Sequence, residues 1–340
     1  MLGPQINFRR LHDFIEYGYL SYPHWPIGQR DSLMWRHLPF RNTCYSSLLE
    51  AADDSIKSRV QNLSHVGVMF SGGVDSSTLA MIASRHTRVT LYMMDFGMCP
   101  EENAIADECA KHLGLRLIRE RHSLRDHYAM LHDAVRNLQA PGDIDTQVLH
   151  TYRLARANGD DTLLSGLGMD EVQAGYPELV KAPPSLYHEF EETSLETCHC
   201  GYAWRNHAQR ETSQIMFPFL DAAFVGYAVN LPLDDKRRGL ETKVRLREEV
   251  KSRLPRSVVE AGRVAGTKRG YTPLLETWWA DGLGAWCVDE VKKLSSEFSE
   301  PHRPRRLRGF LMRRLNRPSW RMLRLANTAT FLDIFGGEKS

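Results

Sequence analysis

The chain has 340 residues, of which 42% are hydrophobic and 25% charged, and its formal net charge at pH 7 is +2. This length can bury the core of one large α/β domain or of two smaller ones, and so balanced a charge demands neither a nucleic acid nor a membrane surface as partner. The start of the chain lacks the order of a secretory signal, no stretch is apolar for long enough to span a bilayer, and the six cysteines show no disulfide-framework spacing, so we expect a cytoplasmic protein with reduced thiols.

A glycine-bearing turn is the first motif with a chemical meaning. Residues 66–70 are typical of a buried strand and residues 78–83 of a helix, and between them lie Ser71, Gly72, Gly73, Asp75, Ser76 and Ser77. The glycines let backbone N–H groups approach an oxyanion, and the start of a helix adds unpaired donors and a positive dipole end. Asp75 would repel a polyphosphate unless a hard cation lay between them, so the turn predicts a complex of Mg²⁺ with a nucleotide.

Strand-like and helix-like patterns alternate after this turn. Apolar runs predict strands at 88–95, 115–118 and 162–164, and apolar spacing predicts helices at 101–113 and 146–158. This alternation predicts an α/β fold with a parallel sheet and helices on both faces. Ligands gather at the carboxyl ends of strands in such sheets, and Asp75 and Asp170 both follow strands. The two carboxylates are therefore candidates to share one magnesium.

The pattern weakens from 183 to 214, which predicts an insertion or lid, and residues 215–340 are mostly helical in character. Cys198, His199 and Cys200 lie in the weak stretch without a second pair at zinc-finger spacing, which favours a surface insertion over a structural zinc site. The arginine-rich stretch 303–324 is typical of an amphipathic terminal helix, and the alternative is a patch for RNA, a carrier protein or an acidic leader peptide.

Four separated motifs now point to one family. They are residues 71–77, residues 165–171 followed by Gly175 and Tyr176, residues 217–221, and residues 267–273 followed by Trp278. In this order they resemble the synthetase domain of asparagine synthetase, which belongs to the ATP pyrophosphatases with the PP-loop, adenine nucleotide α-hydrolase-like fold. β-Lactam synthetases and lasso-peptide cyclases are similar enzymes. The resemblance implies one such domain over residues 45–340, and residues 1–44 resemble the family's connector segment.

The resemblance implies a ligase that adenylates a carboxylate with ATP, releases pyrophosphate and transfers the acyl group to an amine. It places Mg²⁺ on Asp75 and Asp170, and it makes Lys268 the catalytic lysine. The residues that it assigns to ATP or pyrophosphate are Met69, Ser71, Gly72, Gly73, Asp75, Ser76, Ser77, Met94, Ser165, Gly166, Lys243 and Arg247.

Plainer roles remain open at several of these positions. Met69 and Met94 would be core residues on any fold, and Lys268 also fits a solvated surface lysine. Asp221, in the third motif, fits a helix cap as well as a site residue.

Two departures separate this sequence from asparagine synthetases. Leu2 follows Met1 where the family's glutaminase begins with a nucleophilic cysteine, and the stretch before the turn is short, so we expect no glutaminase domain. Leu167 replaces a loop glutamate that helps to manage protons, which leaves Tyr176, Glu178 or a residue of 183–214 as the candidate general base. Both departures favour a dedicated amine, as in specialised-metabolite or peptide tailoring.

The expected partners are a small-molecule or peptide carboxylate and an amine donor, with a carrier or leader peptide as a further candidate. A tRNA-modifying ATP pyrophosphatase uses the same turn, although the balanced charge, Asp170 and Lys268 argue against it. A non-catalytic nucleotide-binding scaffold is the third interpretation, and Leu167 is its support.

Overall fold

A computed structural model of the chain describes residues 45–97, 99–138, 145–196, 198, 214–265, 277–292 and 318–335. Several predictions fall on residues outside these ranges. They concern the N-terminal segment 1–44, His199 and Cys200, the candidate catalytic Lys268, and residues 303–317 of the arginine-rich stretch.

Strands and helices alternate in the first half of the described chain, as the sequence predicts. In chain order the elements are α1 (Leu48–Val60), β1 (His65–Met69), α2 (Val74–Ala83), β2 (Arg88–Asp95), α3 (Pro100–Leu113), β3 (Arg116–Arg121), α4 (Leu124–Leu138), α5 (Asp145–Ala157) and β4 (Leu163–Leu164). The predicted strands and helices of this half are confirmed within three residues at their ends, except that α2 begins at Val74, four residues before the predicted helical run 78–83.

Most elements of the second half are short, and the last helix, with 18 residues, is the exception. They are α6 (Met169–Val172), α7 (Pro177–Lys181), α8 (Tyr187–Glu196), β5 (Ile215–Met216), α9 (Ala222–Val229), α10 (Leu233–Lys236), β6 (Arg237–Arg238), β7 (Glu241–Thr242), α11 (Val244–Val250), α12 (Arg256–Glu260), α13 (Gly284–Val291) and α14 (Pro318–Phe335). The sequence did not predict β5, and α8 lies in the stretch 183–214 where the pattern weakens.

The five strands β1 to β5 form one sheet in the order β3-β2-β1-β4-β5, and every neighbouring pair is parallel. Val68 of β1 pairs with Leu91 of β2 on one side and with Leu164 of β4 on the other. The chain therefore runs outward from β1 to β3 and then returns to the opposite side of β1. A crevice opens at the carboxyl ends of strands where the order reverses in this way, here between β1 and β4.

Alternate strand residues enter two different apolar clusters, so both faces of the sheet are covered. Val68, Leu91 and Leu164 belong to the larger cluster, which also includes buried residues of α1, α2, α3, α9 and α11. Tyr92 and Leu163 belong to a second cluster with Tyr152 and Ala155 of α5. Because side chains of a strand alternate between faces, this division confirms a parallel sheet with helices on both sides.

The C-terminal helices pack beside α4. Trp278, Leu283 and Cys287 form an apolar cluster with Leu323 and Ala326 of α14, and Leu124 and Tyr128 at the start of α4 pack against it. Among the helices that the structure describes, none is long and apolar enough to cross a membrane.

Candidate functional site

The turn after β1 has the geometry of an anion site. Gly72 has φ +72°, and a Cβ there would lie 3.0 Å from backbone atoms of Ala106. Gly73 is the N-cap of α2, and no described side chain caps that helix start. The hydroxyls of Ser71 and Ser76 lie 3.2 Å apart, and the Ser71 N–H donates to Ser76 Oγ at 3.2 Å. The first backbone donors of α2 are thus left for a ligand.

The remaining predicted residues of this region differ in placement. Ser77 is fully buried in α2, and its hydroxyl lies beside the Cys109 thiol of α3. Met69 is half-buried against the cluster beneath α5, and Met94 is half-buried near the carboxyl end of β2. Both methionines therefore combine core packing with a position at the edge where nucleotide is expected.

The second glycine-bearing loop follows β4 and meets the first one directly. A Cβ on Gly166 would lie 3.5 Å from the backbone nitrogen of Ser76 and 3.6 Å from Cβ of Asp75. The Ser165 N–H donates to Met216 O at 2.9 Å, which fixes the loop to β5. The two loops that the sequence placed at one crevice are in contact.

Lys243 joins the two predicted metal ligands. Its Nζ lies 2.5 Å from Asp75 Oδ2 and 2.5 Å from Asp170 Oδ1. The lysine is 4% exposed, and its backbone adopts the left-handed conformation with φ +56° immediately before α11. Burial by itself would lower the pKa of Lys243, but the carboxylates of Asp170 and Asp75 raise it above its ordinary value. The ammonium therefore stays charged between them.

The oxygens at this point fit a hard cation. Oδ1 of Asp75 is buried and has no hydrogen-bond partner among the residues that the structure describes. Two carboxylates and one ammonium leave an excess of one negative charge, and carboxylate oxygen is a ligand that Mg²⁺ prefers. Among the described residues, no group of three or more His, Cys, Asp or Glu side chains forms a metal site. A metal on Asp75 and Asp170 would thus take its other ligands from phosphate and water.

Gly175 sets the position of Asp170. A Cβ on Gly175 would lie 1.9 Å from Oδ1 of Asp170, which no side chain tolerates. The Gly175 N–H also donates to Asp170 O at 2.7 Å. The sequence analysis placed this glycine next to the second loop but assigned it no role. Its close approach to Asp170 arises only when the chain folds back.

Glu171 supports the loop from inside. Its Oε2 accepts the Gly168 N–H at 3.1 Å and its Oε1 accepts the Tyr176 hydroxyl at 2.7 Å. Burial, with the neighbouring Asp170 as a second cause, raises the pKa of Glu171 to about 7. Cys198 is 1% exposed and lies beside Glu171, so this cysteine is part of the interior and not of a surface insertion.

Arg247 faces backbone carbonyls. Its guanidinium donates to Thr242 O at 3.0 Å, to Ala261 O at 3.1 Å and to Val259 O. Burial lowers the pKa of Arg247, while Asp75 acts in the opposite direction. In this arrangement the arginine joins α11 to the end of α12, behind Lys243.

Leu167 and the third motif have clear structural roles. Leu167 packs against the apolar cluster of Tyr152, Leu163 and Phe217. Asp221 is the N-cap of α9, where its Oδ1 accepts the Ala223 N–H at 2.9 Å, and its Oδ2 pairs with Arg59 at 3.0 Å. The capping role that the sequence left open for Asp221 is present.

Comparisons with known proteins identify the family of the chain. The family model described as asparagine synthase matches residues 47–216 and 208–333. Asparagine synthetase B [glutamine-hydrolyzing] of Escherichia coli is 28% identical over 279 residues, which cover 74% of this chain and 47% of that protein. The asparagine synthetase [glutamine-hydrolyzing] of Mus musculus is 25% identical over 296 residues, 77% of this chain and 50% of that protein.

A probable asparagine synthetase [glutamine-hydrolyzing] of Acanthamoeba polyphaga mimivirus is 26% identical over 279 residues, 74% of this chain and 47% of that protein. The chain thus spans about half the length of the curated relatives that it matches. The family model covers most of the sequence, including both loops and Lys243. The chain therefore belongs to the asparagine synthase family.

Proposed function

We propose that this protein is an ATP-dependent ligase that adenylates a substrate carboxylate, releases pyrophosphate and transfers the acyl group to an amine. The single observation that carries the proposal is the meeting of Asp75 and Asp170 at one ammonium, at the point where the strand order reverses. Each carboxylate comes from a separate loop, and the uncapped start of α2 lies beside them. A polyphosphate and a cation are the ligands that such a set of groups suits.

Several groups act together in the first step, the adenylation of the carboxylate. The N–H groups at the start of α2 and the hydroxyls of Ser71 and Ser76 bind phosphate oxygens, and Lys243 adds a positive charge that cannot be lost at neutral pH. When bound, Mg²⁺ on Asp75 and Asp170 supplies further neutralisation of the leaving pyrophosphate. Preorganised charge of this kind lowers the barrier because it needs no rearrangement during the reaction.

The second step requires an amine that loses a proton. Leu167 stands where a proton-handling residue would be expected, and its side chain packs into an apolar cluster. Tyr176 donates its hydroxyl to the buried Glu171, and burial raises its pKa well above the ordinary value, so it is a poor base at neutral pH. These features support a dedicated amine substrate, as in tailoring of a specialised metabolite or peptide, over asparagine formation.

The experiment is exchange of labelled pyrophosphate into ATP, measured with Mg²⁺ and a panel of amino acids, peptides and small organic acids. Adenylation predicts exchange that depends on one class of carboxylate and needs no amine. ATP binding without exchange for any carboxylate would contradict the ligase and support a nucleotide-binding scaffold.

A further inference from the structure

Lys243 occupies the point where the two candidate metal ligands meet. Its Nζ lies 2.5 Å from Asp75 Oδ2 and 2.5 Å from Asp170 Oδ1. Mg²⁺ binds oxygen at about 2.1 Å, so an ion bound to both of these oxygens can lie no farther than about 4.6 Å from Nζ. At every position within that distance, the ammonium and the ion repel each other.

The backbone of Lys243 is anchored on both sides. The Lys243 N–H donates to Gln173 O at 3.0 Å, and the Lys243 carbonyl accepts the Arg247 N–H at 3.0 Å. Among the residues that the structure describes, the non-glycine residues with left-handed backbone are Ala174 and Lys243, with φ +51° and +56°. Both lie at this junction. Strained backbone persists where surrounding contacts enforce it, so the fold fixes the point from which the ammonium reaches the carboxylates.

A second buried lysine shows how an ion pair of the interior is built in this protein. Lys236 is 1% exposed, its Nζ lies 2.6 Å from Oε1 of Glu191, and it donates to Val229 O at 2.8 Å. One ammonium meets one carboxylate there, and the Glu191 side chain is 3% exposed. The two carboxylate side chains at Lys243 are 13% and 22% exposed. An ion or a phosphate from solvent can therefore reach the carboxylates at Lys243 but not the one at Lys236.

One oxygen at Lys243 awaits a partner. Oδ1 of Asp75 is buried and accepts no hydrogen bond from the residues that the structure describes. A buried carboxylate oxygen without a partner is costly. The arrangement is therefore complete only when a further positive or donating group joins it.

The ammonium lies beside the expected place of the phosphates. Asp75, its first partner, belongs to the first turn of α2, and Gly73 caps that helix without a side-chain hydrogen bond. The backbone donors at this helix start are suited to phosphate oxygens. A lysine carries a compact charge on a flexible four-carbon chain, so the ammonium can move from a carboxylate to a phosphate while the backbone stays in place.

We propose that Lys243 holds the place of the cation in the nucleotide-free protein, so that Mg²⁺ binds to Asp75 and Asp170 only together with a nucleotide whose phosphates take over the ammonium. This inference rests on the proposed ligase function, because the phosphates of ATP are what draws Lys243 away from the carboxylates. Lys243 then neutralises phosphate, and the two carboxylates are free for the metal that the same phosphates bring.

The test measures binding of Mn²⁺ alone to the full-length chain, from the electron paramagnetic resonance signal of the free ion. Mn²⁺ prefers the same oxygen ligands as Mg²⁺. The variants are Lys243→Met, the matched control Lys236→Met, and Lys243→Met combined with Asp170→Asn. No nucleotide or substrate is added, so the result does not depend on the activity of the enzyme.

We expect Lys243→Met to bind one Mn²⁺ per chain at least about 100-fold more tightly than the wild type, because a unit positive charge close to the ion has been removed. Lys236→Met should bind Mn²⁺ as weakly as the wild type, and Asp170→Asn should abolish the gain in the double variant. Equal affinity of the wild type and Lys243→Met for Mn²⁺, whether weak or tight, would overturn the proposal.

Unfolding in urea gives a second readout. Millimolar Mg²⁺ without nucleotide should leave the wild type unchanged and stabilise Lys243→Met, since a ligand that binds only the folded chain raises its stability. If Lys243→Met is unfolded without metal, Mg²⁺ should restore its fold. A Lys243→Met chain that Mg²⁺ neither stabilises nor refolds would contradict the proposal.

Nucleotide is then added as α,β-methylene ATP, which cannot be cleaved between the α and β phosphates, and its affinity is measured by calorimetry with Mg²⁺ and with a chelator. Lys243 can partner the phosphates without a metal, whereas the bare carboxylates of Lys243→Met repel them. Removal of Mg²⁺ should therefore weaken nucleotide binding at least about tenfold more in Lys243→Met than in the wild type. The same loss in both proteins would contradict the exchange of the two cations.

This proposal and the ligase function fail separately. A wild type that exchanges pyrophosphate but binds Mn²⁺ as tightly as Lys243→Met keeps the ligase function and rejects this role of Lys243. A wild type that exchanges pyrophosphate with no carboxylate rejects the ligase function, and binding of Mn²⁺ alone still decides whether Lys243 holds the place of the cation.

Discussion

Two places at the carboxyl edge of the same sheet handle charge in opposite ways. At the crevice between β1 and β4, the carboxylates of Asp75 and Asp170 share a lysine that remains charged although it is buried. At the end of β3, burial lowers the pKa of His122 and of His127 to about 4 and about 3, so the imidazoles are neutral. The first place is suited to a polyphosphate and a cation, whereas the second is a neutral part of the interior.

The difference shows what decides the state of a buried titratable group. Burial disfavours the charged form in both places. Lys243 has two carboxylates in contact, whereas the first histidine has another imidazole as its contact and the second a hydroxyl. Only the opposite charges outweigh desolvation, so the edge of one sheet provides both an ionic and a neutral site.

The largest expected effect is at the ionic site. Asp75→Asn and Asp170→Asn each remove one of the carboxylates that we propose as ligands of the cation, and we expect pyrophosphate exchange to fall about 1000-fold. Both side chains keep their size, so folding measured by circular dichroism should persist. Exchange within tenfold of the wild type in either variant would contradict the assignment of the ionic site.

Loss of the shared lysine should cost stability. Lys243→Met leaves two carboxylates without their ammonium, and we expect the free energy of unfolding to fall by about 3 kcal/mol in urea titrations. Lys236→Met is the matched control, because Lys236 is also buried and pairs with Glu191 at 2.6 Å. Both variants should be destabilised, but only Lys243→Met should weaken binding of Mg²⁺–ATP in calorimetry. Equal affinity of the two variants for Mg²⁺–ATP would contradict a role of Lys243 in nucleotide binding.

The neutral site should make the protein sensitive to acid. Histidine's ordinary pKa is 6.5, and the folded values are about 4 for His122 and about 3 for His127. Below pH 6.5 these histidines bind protons in the unfolded chain but not in the folded chain. The free energy of unfolding is therefore highest above pH 6.5 and falls as the pH decreases toward the folded pKa values.

Replacing His127 measures how much this histidine contributes to the loss of stability in acid. We expect His127→Asn to remove about 2 kcal/mol from the loss of stability between pH 7 and pH 5, as measured by urea unfolding at each pH. An unchanged pH dependence in the variant would mean that His127 is not held neutral by the fold.

The smallest effect should be at Asp221, a carboxylate of the third motif whose contacts are structural. Asp221→Ala removes the cap of α9 and should lower stability by about 1 kcal/mol. Asp221→Asn keeps a capping side chain and should lie within a few tenths of the wild type. Pyrophosphate exchange per folded molecule should be unchanged in both, and a large loss would move Asp221 into the functional set.

Much of the fold follows from local patterns, and the exceptions have physical causes. The strands β1 to β3 are apolar runs bounded by turn residues, so their pattern is visible in the sequence. The strand β5 has only two residues, Ile215 and Met216, and its pairing with β4 defines it more than its composition does. The sequence analysis also missed that Cys198 is buried. Its neighbour Glu171 is distant in the chain, so no local pattern indicates the contact.

The sequence by itself determined the glycine-bearing turn between β1 and α2, the parallel α/β sheet and the meeting of Asp75 and Asp170 at one crevice. These features depend on residues close in the chain or on the rule that strand ends share an edge. Only the tertiary structure decided that Lys243 lies between the two carboxylates, that Gly175 makes room for Asp170, and that His122 meets His150. Contacts between distant residues depend on packing, and no local pattern records which side chains packing will bring together.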